Sequence, residues 1–277
     1  MLRRSSASRW LLAYGVIPPL LLLGALGLWW ARVGELEALR LRVFDAYMRA
    51  APRAWDPASP VRIVDIDEAS LARLGQWPWP RTLLARLTRR LTDLGAAAVV
   101  YDVVFAEPDR TSPEALAAAL PPSPELDAVR RSLARLPSHD GVFARAVGAG
   151  PVVTGFALSP AAGGRTPEHK AGFLFAAGTT GETLADDLPD LYHGAVPDLA
   201  PIEKAASGNG CFSIVPDPDG VHRRVRMLFR LGDDVYPGLA VEALRVAQGA
   251  RTYKVAAAGS SAAAGMGDGR TGLAAMR

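Results

Sequence analysis

From Trp10 to Ala31 the chain carries no charged residue, a run of 22. At about 1.5 Å per residue, a helix of that length reaches ~33 Å, enough for a bilayer core. Trp10 and Tyr14 stand near one end, Trp29 and Trp30 near the other. Amphipathic aromatics favour those interfacial depths, so residues 10–33 read as one transmembrane anchor. The pattern then turns amphipathic. Leu36, Leu39, Val43, Ala46 and Ala50 recur at helical steps, with Glu35, Arg40, Arg42 and Arg49 on other faces, and a stalk helix is predicted over 34–51. Residues 61–66 are rich in β-branched side chains and read as a buried strand. Residues 80–94 read as a helix: Pro80 suits its first turn, Leu83, Leu84, Leu87 and Leu91 form one face, and Gly95 stops it. Residues 97–105 form the next predicted strand. Strand, helix, strand in that order predicts a parallel pair.

Further along, residues 108–137 are Pro-rich and charged and read as an insert with one or two short helices. A helix is predicted over 141–148 and a strand over 151–158. Residues 159–201, rich in Gly, Pro and Asp, predict no regular element. A hairpin of 210–215 with 221–231 is predicted across Pro216-Asp217-Pro218-Asp219-Gly220. A helix over 236–248 ends at Gly249. Residues 251–277 read as a low-complexity tail, disordered from Ala256 onward. The fold class is α/β, with a mixed, largely parallel central sheet and flanking helices, preceded by one transmembrane helix. The segments are a cytoplasmic N-terminus (1–9), the anchor (10–33), an extracytoplasmic domain (34–250) and the tail (251–277).

Charge decides the orientation. Arg3, Arg4 and Arg9 precede the apolar run and no acidic residue does, which favours a cytoplasmic N-terminus and an exported body. A cleaved signal peptide fits less well, because the run is long and ends Leu-Gly-Leu-Trp-Trp-Ala-Arg without a small-residue cleavage site. Apart from those three arginines the basic residues only equal the 28 acidic ones, so the net charge of +3 is no argument for nucleic-acid binding. Cys211 is the single cysteine. It excludes an intrachain disulfide and a cysteine zinc site, and it reads as a small core residue.

Chemistry concentrates in the first predicted strand pair. Asp65, Asp67 and Glu68 close one strand, and Asp102 stands at the end of the other. Parallel neighbours would bring them to the carboxyl edge of the sheet, where open α/β sheets place ligands. There Asp65, Asp67 and Asp102 could hold Mg²⁺ or Ca²⁺ through oxygen ligands, or the cluster could bind a cationic ligand. In the plainer alternative, one or two of these carboxylates cap the following helix and another pairs with Arg81. Asp-x-Asp after a strand is also similar to the nucleophile motif of haloacid-dehalogenase-like phosphatases, although Ala69 replaces the usual Thr or Val. Gly75-Gln76-Trp77-Pro78-Trp79-Pro80-Arg81 is a stiff aromatic turn that could line a pocket or plug the core. The four histidines show no metal spacing, and neither a Gly-x-Ser-x-Gly elbow nor a phosphate-binding Gly-x-x-x-x-Gly-Lys occurs.

Four pieces in order resemble the CHASE type 2 domain, the cyclase/histidine-kinase-associated sensory extracellular domain of the second class. They are the Arg- and Asp-bearing segment 42–49; Asp-Glu-x-Ser (67–70) running into Leu-Gly-x-Trp-Pro-Trp-Pro-Arg (74–81); Val-Tyr-Asp-Val-Val-Phe-x-Glu-Pro (100–108); and Gly-Asn-Gly-Cys-Phe-Ser-x-x-Pro-Asp-x-Asp-Gly-Val-x-Arg-Arg (208–224), followed by Tyr-Pro-Gly-Leu-Ala (236–240). The resemblance covers residues 39–249 and implies an exported sensor; taken with the anchor and the arginines before it, the expectation is a sensor without catalysis of its own, single-pass in the inner membrane, with its bulk in the periplasm. Its family members continue into further strands, membrane helices and a cyclase or kinase output. Here the chain ends after the Ala/Gly-rich tail, so truncation before the C-terminal part or a separate signalling partner is expected. The expected ligand is a small molecule or ion, with Asp67, Glu68, Arg81 and Asp102 contacting it and Trp77 and Trp79 as a wall. The membrane and a second copy of the chain are the other expected partners. The alternatives are an exported metal-dependent phosphohydrolase using Asp65 and Asp67, and a remnant without function.

Overall fold

The computed structural model describes residues 15–30, 34–54, 56–175, 188–189, 191–257 and 273–276. The chain divides into two units, one of residues 1–65 with 216–221, the other of residues 66–215 with 222–277.

In the first unit, α1 (Ile17–Trp30) and α2 (Gly34–Ala50) are the regular elements among the described residues. Leu20, Leu21, Leu22 and Leu23 of α1 are each more than 60% exposed. At 14 residues α1 reaches about 21 Å. Among the described residues no helix is long and apolar enough to cross a membrane. Residues 10–14 and 31–33 of the expected anchor lie outside the described residues. The stalk helix forms as expected. It buries Leu41 and leaves Leu36, Leu39, Val43 and Tyr47 exposed. The Pro216–Gly220 turn also forms, closed by the Gly220 amide on the Asp217 carbonyl at 2.8 Å, with Gly220 at φ +80°. Only glycine adopts that angle without strain.

The strand expected over 61–66 is absent. Val61 and Val64 are exposed, and Ile63 is 91% exposed. The Arg62 guanidinium curls back on the carbonyls of Ser59, Val61 and Pro57, so Val61, the one of these within the segment, has its carbonyl engaged locally.

The second unit holds the packed core. α3 (Glu68–Leu74) leads into α4 (Arg81–Asp93) and then β1 (Val99–Val100). The region expected to be a variable insert forms α5 (Pro113–Ala119) and α6 (Pro124–Leu133), each with proline in its first turn. α7 (His139–Gly148) precedes β2 (Val152–Ser159), the spine of the central sheet. β3 (Gly172–Phe175), β4 (Gly194–Val196), α8 (Ala200–Ala205) and β5 (Gly208–Cys211) follow. β1 and β5 run parallel to β2, in register Val99 with Val152 and Thr154 with Asn209, while β4 runs antiparallel along the last residues of β2. The fold is therefore mixed α/β. The parallel neighbour of β1 is β2, not the segment at 61–66.

One apolar layer packs Leu84 and Ala85 of α4, Phe143 and Val147 of α7 and Ile202 of α8 against Val99 and Val152. Phe105 and Phe143 meet edge to face at 5.0 Å, and Tyr101 meets Phe143 at 5.6 Å, the geometry favoured by ring quadrupoles. Cys211 packs with Phe156, Phe229 and Tyr236, as the core reading expects. Burial pushes its thiol up to about 11.

The hairpin differs from expectation, as do residues 252–257 and 273–276 of the tail, while residues 258–272 lie outside the described residues. Residues 208–211 pair in parallel with β2, while β6 (Leu228–Leu231) pairs antiparallel with β7 (Asp234–Pro237). α9 (Leu239–Ala247) starts three residues later than predicted, because Tyr236 belongs to β7. α9 lies directly on β5: a Cβ on Gly210 would sit 2.6 Å from Leu239 Cα. The Gly-Asn-Gly stretch is thus required by close backbone approach. At the tail, β8 (Thr252–Ala257) pairs with β3 and with β9 (Leu273–Met276). Tyr253 and Val255 are buried. That alternation was masked by the Ala, Gly and Ser beside it.

Candidate functional site

Pro80 opens α4 but has no side chain that can cap it. The cap comes from afar: the Arg81 amide donates to Asp109 Oδ2 at 2.7 Å. A carboxylate there satisfies an orphan amide and complements the helix dipole. Asp109 also accepts from the Thr111 amide (2.8 Å) and hydroxyl (2.7 Å) on Oδ1, and its Oδ2 lies 3.2 Å from His139 Nδ1. Its own amide donates to Asp140 Oδ2 at 3.0 Å. The Arg81 side chain is 8% exposed. Its Nε lies 3.5 Å from Asp140 Oδ1, its Nη2 donates to the Glu107 carbonyl at 3.4 Å, and its guanidinium sits 4.5 Å from the Phe105 ring centroid. Burial pushes the Asp109 carboxyl up, yet the hydrogen bonds from Arg81, Thr111 and His139 outweigh it, and the group rests below its ordinary range.

A second buried acid lies at the exit of β1. Asp198 Oδ1 accepts the Phe105 amide at 2.6 Å, and the Leu199 amide returns a bond to the Phe105 carbonyl at 2.8 Å. A third centre joins α9, β5 and β8. Glu242 accepts Arg245 in a two-point fork at 2.7 and 2.8 Å, the Asn209 amide at 3.1 Å and the Tyr253 hydroxyl. Glu203, equally buried, accepts Asn209 Nδ2 at 2.9 Å and pairs with Arg165 at 2.5 Å. Such forks are the strongest ionic contacts a protein makes.

The structure brings together only part of the set expected from sequence. Asp67 caps α3, accepting the Ser70 amide at 2.8 Å, and the Ser70 contacts hold its carboxyl below the ordinary range. This is the capping alternative. Asp65, Glu68 and Asp102 are exposed. Without a strand at 61–66, nothing gathers these acids at one sheet edge. Among the described residues no three His, Cys, Asp or Glu side chains group to hold a metal. Trp79 plugs the apolar core and donates from Nε1 to the Gly75 carbonyl at 2.7 Å. Trp77 is half-buried and meets it edge to face at 5.9 Å. Arg81 is paired, but with Asp140 instead of the acids near residue 67.

Sequence reasoning missed Asp109, Asp140, Asp198, Glu203 and Glu242. A Ser138-His139-Asp140 helix start was readable, since Ser138 caps α7. Nothing local marks the others.

The Trp-Pro-Arg turn and the Phe-Ala-Glu-Pro-Asp stretch are thus two ends of one buried joint, Arg81 to Asp109. Both fall within the span matched by the model of the CHASE2 domain, residues 20–273. The chain belongs to the CHASE2 family. CHASE2 domains are extracellular sensory domains. No curated protein and no solved structure matches this chain. Within the CHASE2 span the Gly-Asn-Gly-Cys stretch is β5, and the Tyr-Pro-Gly-Leu-Ala stretch is the turn from β7 into α9.

Proposed function

We propose that this CHASE2 chain is a membrane-anchored extracytoplasmic sensory domain that binds a ligand and catalyses no reaction itself. Family membership carries the sensory reading. The uncovered leucines of α1, together with Arg3, Arg4 and Arg9 ahead of the apolar run, support the anchor and its orientation. The sensing centre is assigned to the Trp77–Arg81 turn and the acids that hold it, Asp109 and Asp140. A ligand at this turn that favours one arrangement of the joint shifts the balance between two states of the domain.

The test has two arms. Cell fractionation with protease added outside should find the full chain in the membrane, released by detergent and not by high salt, with its bulk cleaved from outside. Recovery in the soluble fraction overturns the anchor. A thermal-shift screen of the detergent-solubilised chain against metabolites and ions should raise the midpoint with one ligand class, and Arg81→Lys should abolish that shift. Turnover of a phosphate ester that depends on Mg²⁺ and is lost in Asp65→Asn would instead favour the phosphohydrolase reading. The capping role of Asp67 and the exposure of Asp65 give that reading no support.

A further inference from the structure

Asp198 is 3% exposed and Thr154, on the central strand, is fully buried. Asp198 Oδ2 and Thr154 Oγ1 make no hydrogen bond of regular geometry, although the Thr154 hydroxyl lies near enough to act on the Asp198 carboxyl. An ionised carboxylate that leaves one oxygen unsatisfied in the core is costly, whereas a protonated one gains a donor. The charged groups that face it do not resolve this. Arg81 from α4 stacks on Phe105, but its charge is shared with Asp140. Arg165, from the loop after β2, donates to the Asp198 main-chain carbonyl at 2.7 Å and spends its charge on Glu203 of α8. Glu203 itself adds negative charge nearby.

We propose that the Asp198 carboxyl, with the Thr154 hydroxyl beside it, is a proton-binding site that tightens the joint between the exit of β1 and α8. The proton comes from bulk water and returns to it, and no other bond changes. When bound, it sits on Oδ2, which becomes a donor with Thr154 Oγ as the acceptor at hand. Oδ1 continues to accept the Phe105 amide. When it leaves, the charge stays buried at the Phe105–Leu199 pairing that ties β1 to α8, and that pairing loosens. Burial drives the group up to about 6 from 3.8, with the Phe105 amide and Thr154 hydroxyl pulling against it. The joint therefore changes state in mildly acidic water. The site deepens the sensory reading by naming the proton as a ligand, and it rests on that reading only for its downstream use.

The experiment is equilibrium denaturation of the full chain in detergent from pH 4 to pH 8, for the wild type and Asp198→Asn. Asparagine keeps an acceptor for the Phe105 amide and cannot ionise. The folding equilibrium constant of the wild type relative to the variant should fall by about 60-fold from pH 4 to pH 8, with the fall running between about pH 4 and pH 6 and levelling off above 6. A ratio constant over that range, or one already level above about pH 5, overturns the proposal. Should the variant not fold, NMR titration of ¹³C-aspartate in the wild type decides. One carboxyl titrating near 6 supports the site, and all of them at or below the ordinary range overturn it. Both readouts concern the chain alone, so a loss of signalling with an intact titration counts against the sensory reading and not against the site.

Discussion

Asp109 and Asp198 are both buried acids, and both accept a main-chain amide far away in sequence, yet they behave oppositely. Asp109 has both oxygens engaged and rests below its ordinary range. Asp198 has one oxygen engaged and rises to about 6. Depth of burial and the number of donors together set the charge state of a carboxyl in this fold: Asp198 lies the deeper of the two and has the fewer donors. One acid serves as a permanent helix cap, the other as a titrating joint.

The largest expected effect breaks the first half of that contrast. Asp109→Ala leaves the Arg81 amide, Thr111 and His139 without their acceptor and should destabilise the domain by about 3 kcal/mol or more, read by urea denaturation. The opposite sign is expected at the other acid. At pH 8, Asp198→Asn should stabilise by up to about 3 kcal/mol, a gain that vanishes by pH 4. The pH dependence separates the two further. The Asp109 contribution is complete above 3.8 and is lost as pH falls through its lower folded value. The Asp198 contribution is complete below 3.8 and is lost as pH rises through about 6. A wild type whose stability at pH 8 matches that at pH 5, once the Asp198→Asn profile is subtracted, would erase the distinction.

Smaller effects sharpen the comparison. Gly210→Ala places a Cβ against Leu239 Cα, where backbone must move, and should cost about 1–3 kcal/mol without altering either titration. Asp67→Ala should have the smallest effect, because its cap is exposed and local. Faster amide exchange at Ser70, with the melting midpoint nearly unchanged, is the expected reading.

What the sequence revealed tracks the range of the interactions. α4, α7 and β2 were readable because Leu84, Phe143 and Val152 follow local periodicity and turn signals. The Asp67 cap was readable for the same reason, since Ser70 is three residues away. The segment at 61–66 misled because β-branched composition states a preference and not a partner, and its Val61 carbonyl is taken by the neighbouring Arg62 guanidinium. The buried acids were not legible. Asp109 reaches back 28 residues to Arg81, and Asp198 reaches back 93 to Phe105. No window of sequence holds both ends, and an Asp beside a Pro reads as a loop.

Cys211 offers an experimental opening of a different kind. It is the one thiol in the chain, enclosed by Phe156, Phe229 and Tyr236, and held almost wholly as the unreactive thiol at neutral pH. An alkylating reagent can reach it only when the aromatic cage comes apart. The rate of labelling is therefore a native clock for the opening of the molecule's centre, and it needs no engineered probe.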